Sequence, residues 1–292
     1  MRGRIIKGIA GFYYVDAEDG QLYECKARGI FRKEKMKPLV GDLVEIEILD
    51  QAERTGNLIR IQERRNQLIR PAVSNVDQAL VIFAATSPEP NLNLLDRFLI
   101  TMEERGIPAV ICFNKCDLVT PDQVRMLRGI YEPAGYELHF ISVKHQSGID
   151  EIGELLKGKV TTVAGPSGVG KSSLMNILQE HTHMEVGSIS DKIERGKHTT
   201  RHAQLIQLEP GSYLVDTPGF SSLSVEHLTP ESVRAFFPEI DRMEGQCRFH
   251  GCVHIHEPSC GVKSAVEQGD ISRQRYENYL QIYEECKNKR RY

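Results

Sequence analysis

Residues Gly165-Pro166-Ser167-Gly168-Val169-Gly170-Lys171-Ser172 fit the spacing G-x4-G-K-[ST]. The glycines let the backbone curl so that consecutive N–H groups turn inward and cradle phosphate oxygens. Lys171 supplies charge at the β- and γ-phosphates, and the Ser172 hydroxyl is an Mg2+ ligand. The stretch Val160-Thr161-Thr162-Val163-Ala164 precedes the loop as a strand. The helix that follows directs its positive end at the phosphates. A second acidic element is expected on a neighbouring strand, and Tyr213-Leu214-Val215-Asp216-Thr217-Pro218-Gly219 supplies it. Asp216 at the strand's end holds the Mg2+ shell through water, and Gly219 places a backbone N–H near the γ-phosphate.

A phosphate loop does not choose a base. Asn114-Lys115-Cys116-Asp117 does. Asp117 accepts hydrogen bonds from N1–H and the exocyclic amine of guanine. Adenine offers neither donor and leaves the carboxylate unpaired, a loss on the order of 1–3 kcal/mol or more. Asn114 braces the loop and reaches toward the base edge, while the Lys115 stem covers the base face. Val110 to Phe113 form the preceding strand, so the motif sits at a strand's carboxyl end, where such sheets bind ligands. Ser142-Val143-Lys144, ending the next strand, supports the base from the other side. The base motif precedes the phosphate loop and Asp216 comes last. One site results if the domain is circularly permuted, which compact domains with neighbouring termini tolerate. A small-molecule kinase is disfavoured by the base motif and by the lack of an acceptor-substrate site.

Between the loop helix and Asp216 lies the polar stretch Lys192–Arg201, which has the character of a switch. A threonine hydroxyl there completes the Mg2+ shell when the γ-phosphate is present, and Thr200 is favoured over Thr199. Many GTPases place a glutamine after Asp-x-x-Gly to orient the attacking water. Here that position is Phe220, which orients no water, and His198 is the available replacement. The competing reading of His198 is an ordinary surface histidine.

Cys247, Cys252, His254 and Cys260 follow the spacing C-x4-C-x-H-x5-C, three thiolates and an imidazole suited to one structural zinc. His250 and His256 compete for the histidine role. The seven cysteines are odd in number, which argues against a disulfide framework.

These residues need three kinds of scaffold. Residues 1–66 show short β-like runs, Ile9–Val15, Gln21–Ala27, Asp42–Leu49 and Asn57–Glu63, with turn signals at Asp19-Gly20 and near Pro38 and Gly41. They predict an OB-like barrel, either RNA-binding or a structural appendage. From 67 to 222, strands and helices alternate as in a mostly parallel α/β domain. Its strands are Ala79–Ala85, Ala109–Phe113, His139–Val143, Lys159–Ala164, Ala203–Leu208 and Ser212–Val215. Its helices are Leu92–Arg105, Pro121–Tyr131, Ile149–Leu156 and Lys171–Gln179. Residues 223–292 read as a mostly helical metal domain, with helices at Pro230–Phe237 and Ile271–Lys287. Net charge is −3, which argues against a nucleic-acid-coating protein, yet residues 1–70 hold 14 Lys and Arg against 11 Asp and Glu. No apolar run approaches the roughly 20 residues that span a bilayer, and no signal peptide is indicated, so a cytoplasmic location is expected.

The order of these motifs resembles, over the whole chain, the RsgA (YjeQ/YloQ) family of circularly permuted GTPases that act in small-ribosomal-subunit biogenesis. The resemblance implies a monomeric GTPase that binds the 30S subunit and 16S rRNA late in assembly, with no DNA or membrane partner. It also implies that the subunit stimulates hydrolysis and that hydrolysis is coupled to release. Carried over residue by residue, Asn114, Lys115 and Asp117 bind guanine, and Gly165 to Ser173 hold the phosphates and Mg2+. Thr200 is the switch threonine and His198 the catalytic histidine. Cys247, Cys252, His254 and Cys260 bind zinc, and the barrel and zinc domain touch ribosomal RNA. The alternative is an RNA-binding sensor of guanine nucleotides in which hydrolysis is incidental.

Overall fold

The computed structural model describes residues 1–29, 31, 36–69, 71–186, 203–216 and 223–289. In chain order the first strands are β1 (Arg2–Ile9), β2 (Phe12–Ala17), β3 (Leu22–Ala27), β4 (Leu43–Asp50) and β5 (Thr55–Ile61). The short β6 (Gln67–Leu68) and β7 (Val73–Ser74) lead to β8 (Gln78–Ala84), α1 (Leu92–Glu104), β9 (Ala109–Asn114), α2 (Pro121–Tyr131) and β10 (Glu137–Phe140). Next come α3 (Ile149–Leu156), β11 (Val160–Ala164), α4 (Lys171–Val186), β12 (Gln204–Glu209) and β13 (Ser212–Asp216). A 3-10 segment (Pro230–Phe236), α5 (Pro238–Asp241), α6 (Gly261–Gln268) and α7 (Arg273–Lys289) complete the described elements. They pack as two compact units, one of Met1–Ala79, Asp150–Val163 and Lys171–Phe220, the other of Leu80–Ile149, Ala164–Gly170 and Ser221–Tyr292.

In the first unit, β1 to β5 form a closed barrel in the order β1-β2-β3-β5-β4, with β4 returning to pair with β1. Ile5, Val15, Tyr23, Cys25, Val44, Ile46 and Leu58 fill its interior, as the alternating pattern of each strand requires. The run Ile9–Val15, expected as a single strand, is instead broken at Ala10-Gly11, where both residues take positive φ and a two-residue hairpin turn joins β1 to β2. The expected turn at Asp19-Gly20 joins β2 to β3. At the base of the barrel, Asp42 is fully buried and accepts from Arg64, Ser74 and the Leu39 N–H. Gly41 beside it has φ +94, and a Cβ there would lie 2.0 Å from the Ser74 carbonyl, so only glycine fits.

The barrel is joined edge to edge with further strands of the same unit. β12 pairs with β1 through Lys7 and Gln204, and Gln204 also pairs with Asp216 of β13. β13 runs parallel to β11. Asp16 on β2 accepts from Tyr213 Oη and, at 3.1 Å, from Gln207 Nε2, while the Arg4 guanidinium lies 5.6 Å from the Tyr213 ring centroid.

In the second unit, β9 and β10 run parallel. From Leu80 to Ala84, β8 is buried throughout, as its apolar run requires. Phe113 stacks on Phe140 at 5.4 Å and tilts against Tyr131 at 6.4 Å. The C-terminal segments share a core of Val233, Phe237, Ile240, Val262, Tyr279 and Ile282, with Ile100 of α1 in the same cluster. Residues 230–236, expected as an ordinary helix, wind as 3-10. Thr229 caps this segment and Pro238 starts α5, leaving no room for a longer element.

Candidate functional site

The phosphate loop leaves β11 and runs directly into α4. Gly165, Gly168 and Gly170 take φ of +140, +80 and +100. A Cβ on Gly165 would sit 2.0 Å from the Ile82 carbonyl, and one on Gly170 would sit 2.3 Å from Asn114 Nδ2. The backbone thus approaches its neighbours too closely for any side chain at these two places. Val169 is buried, Pro166 is half-buried, and Ser167 and Gly168 are exposed. Ser172 and Ser173 open α4 on the solvent side, and burial pulls the Lys171 ammonium below the ordinary lysine range.

Asn114 ends β9 with 3% of its surface exposed. Its Oδ1 accepts from the N–H of Lys115 at 2.7 Å and of Val143 at 3.0 Å, and its Nδ2 donates to the Val169 carbonyl at 2.8 Å. One carboxamide therefore ties the loop after β9 to the loop after β10 and to the glycine loop after β11. Lys115 takes φ +66, and its Nζ donates to the Ser87 carbonyl. A 3-10 turn, Cys116–Leu118, presents Asp117. Thr120 then caps α2 with a reciprocal Gln123 contact and Pro121 in the first turn, so the helix start fixes where the turn ends. The Ser142 hydroxyl donates to Asp117 Oδ1 at 2.6 Å and holds that carboxyl below the usual range. The carboxylate is kept ionised and oriented, as a receptor for two N–H donors requires.

Asp216 ends β13 at the carboxyl end of its strand. His198, Thr200 and Gly219 lie outside the described residues. The structure brings Asn114, Asp117, Ser142, Val143 and Val169 together.

The Cys247, Cys252 and Cys260 sulfurs and a His254 ring nitrogen all lie within 4.8 Å of one another. Cys260 Sγ is 3.9 Å from both other sulfurs and 3.4 Å from His254 Nδ1. A tetrahedron with metal–sulfur bonds of about 2.3 Å has S···S edges of about 3.8 Å, so the four groups fit a single ion. The donor chemistry agrees. Burial pushes the Cys252 thiol up to about 12, a cost that a bound cation would offset. Burial, with Arg234 nearby, pulls the His254 imidazole down and keeps it neutral for coordination. His250 and His256 are exposed and outside the cluster. The loop is braced by Glu257, whose carboxylate accepts from the N–H groups of Val253, Ile255 and His256, and by Tyr276 and Tyr279, whose hydroxyls donate to the carbonyls of His254 and Val253.

The sequence matches the RsgA GTPase family over residues 61–226 and the RsgA N-terminal domain over residues 2–55. The chain belongs to the RsgA GTPase family. Its GTPase fold is circularly permuted, and it is a GTP hydrolase. A relative from Agathobacter rectalis, named small ribosomal subunit biogenesis GTPase RsgA, is 57% identical over the full length of both chains. One of the same name from Alkaliphilus metalliredigens is 49% identical over 100% of this chain and 99% of its own. Among solved structures, YjeQ from Thermotoga maritima superposes with a TM-score of 0.83 at 37% identity, covering 98% of each chain. The circularly permuted GTPase YloQ also gives 0.83, at 38% identity, over 99% of this chain and 95% of that one. Among the described residues no helix is long and apolar enough to cross a membrane.

Two features of the second unit escape motif reading. His145, on the tight loop closed by pairing of Ser142 with Ser147, reaches to 3.7 Å from Asp117 Oδ2. Arg275 of α7 is fully buried and paired with Glu239 through Nε and Nη2 and with Asp96 of α1 through Nη1. Burial opposes its charge, but the two carboxylates outweigh that and hold the guanidinium above the ordinary arginine value. Asn278 and Tyr131 donate to the same Asp96.

Proposed function

We propose that the chain is a ribosome-biogenesis GTPase that binds the 30S subunit through 16S rRNA late in its maturation, with hydrolysis stimulated by the subunit and coupled to release. The observation that carries the GTP half of this reading is the Asn114 carboxamide, which joins a guanine-type loop to a phosphate loop by three hydrogen bonds. The ribosomal half rests on full-length relatives that are named for small-subunit biogenesis.

In this reading Asp117 takes the guanine N1–H and amine, oriented by Ser142, while the Lys115 stem and the Val143–Lys144 backbone flank the base. The N–H groups of Gly165 and of Ser167 to Gly170 and the Lys171 ammonium hold the β- and γ-phosphates, with Pro166 shaping the loop and Ser173 beside them. Ser172, Asp216 and Thr200 would hold Mg2+, which draws charge from the phosphate oxygens. Gly219 would supply a backbone N–H to the γ-phosphate, and His198 would orient the attacking water in place of the usual glutamine. The cluster of Cys247, Cys252, His254 and Cys260 holds one structural zinc. The functional division is 1–66 for RNA contact, 67–222 for nucleotide and 223–292 for zinc. The protein acts as a cytoplasmic monomer.

The test is GTP turnover with and without purified 30S subunits. Stimulation of at least tenfold is expected on the general scale of GTPase activation. Unchanged turnover removes the ribosomal half of the proposal. Departure of the protein from 30S particles in GTP but not in a non-hydrolysable analogue separates a timed release factor from a nucleotide sensor.

A further inference from the structure

The loop that carries Ser142 does more than orient Asp117. Ser142 and Ser147 exchange backbone hydrogen bonds at 3.0 and 3.1 Å, and Gln146 between them takes φ +52. This closure makes a tight loop that carries His145 to within reach of Asp117. The His145 N–H donates to Ser142 Oγ at 3.3 Å, so the same hydroxyl that orients the carboxylate also anchors the histidine backbone. The imidazole Nε2 is left 3.7 Å from Asp117 Oδ2, while Ser142 bonds the other oxygen, Oδ1.

The two oxygens of Asp117 are thus unequally placed. Oδ1 is occupied by a neutral hydroxyl that keeps spare lone-pair capacity. Oδ2 faces a group that changes charge. Imidazole is the side chain that gains its proton between about pH 8 and 5. Among the described residues the other charged group acting on the carboxylate is Lys144, on the same loop, while the Lys115 ammonium is engaged by the Ser87 carbonyl.

We infer that His145 is a proton-controlled element of the guanine site, which as imidazolium pairs with the Asp117 Oδ2 that the base's N–H donors require and as neutral imidazole releases it. This rests on the reading of Asp117 as the guanine receptor. The sign is fixed by the geometry. Protonation of the imidazole, which falling pH favours for this side-chain type, strengthens its pairing with Asp117 and so weakens guanine nucleotide binding. Asp117 itself stays ionised throughout, because the Ser142 hydroxyl holds its carboxyl below the usual range. The His145 side chain is 59% exposed, so solvent screens the pair and the effect is modest, about two- to fivefold in affinity.

The experiment is equilibrium binding of a fluorescent GDP analogue with Mg2+ to the full chain, from about pH 8 to 5.5 at low salt. The wild type and His145→Gln are compared at each pH, so that titration of the nucleotide phosphates cancels. The wild type is expected to lose about two- to fivefold more affinity than the variant over this interval. A permanently charged His145→Lys is expected to bind weakly already at pH 8. A wild-type profile in His145→Gln, or full affinity of His145→Lys at pH 8, overturns the proposal. Asp117→Asn in the same assay isolates the underlying reading. If it keeps full GDP affinity, Asp117 is not the receptor. If it loses affinity while His145→Gln keeps the wild-type profile, only the histidine inference fails.

Discussion

Replacing Asn114 tests whether one buried amide holds the nucleotide site together. Asn114→Ala removes the acceptor for the Lys115 and Val143 N–H groups and the donor to the Val169 carbonyl. Each lost hydrogen bond is worth about 1 kcal/mol, so the three sum to roughly 3 kcal/mol. If the loss falls on the bound geometry of the loops, GDP affinity drops by about a hundredfold at 1.4 kcal/mol per factor of ten. Asn114→Asp separates the parts. It keeps an acceptor for the two N–H groups but turns a carboxylate oxygen toward the Val169 carbonyl at a site 3% exposed. A buried carboxylate oxygen facing a carbonyl costs more than a missing neutral bond, so Asn114→Asp is expected to bind GDP no better than Asn114→Ala. The assay is GDP titration by fluorescence, with thermal unfolding to separate loss of fold from loss of site. Affinity within threefold of wild type in either folded variant refutes the assignment of the loop coupling to this side chain.

Asp117→Asn exchanges an acceptor for a donor opposite the guanine amine. GTP affinity should fall by at least tenfold while xanthosine triphosphate gains, as competition binding would show. Glu257→Ala frees three backbone N–H groups of the metal loop. About 3 kcal/mol of loop stability should go with them, read as faster zinc release to a chelator. Arg275→Met strands the buried carboxylates of Asp96 and Glu239. A loss of about 3–5 kcal/mol in unfolding free energy is expected, and simultaneous Asp96→Asn and Glu239→Gln changes should restore part of it.

The phosphate loop, the base motif and the Cys/His ligands were legible because each is a short run whose residue types are dictated by one chemistry. The barrel was legible as a class from its short strands and turn residues, but its first hairpin was not. Ala10-Gly11 interrupts an apolar stretch that looks continuous, because Ala10 gives no turn signal of its own. The pairing of β1 with β12 joins residues 7 and 204, a contact that no local pattern encodes. His145 escaped because it lies outside the Ser142–Lys144 signature and acts through proximity to Asp117. Arg275 escaped for the opposite reason. In a helix rich in charged residues an arginine reads as solvated, and only the tertiary placement of Asp96 and Glu239 explains its burial.

The seam between barrel and β12 bears on how this chain can be cut. A fragment trimmed of residues 1–66 would lose the strand beside Gln204 and the Asp16 carboxylate that receives Tyr213 and Gln207. Its β12 would become a bare sheet edge beside a newly exposed aromatic ring, the combination that invites strand-to-strand association between molecules. The barrel therefore serves β12 as an edge protector, and a soluble nucleotide-binding fragment has to keep it or replace that cover.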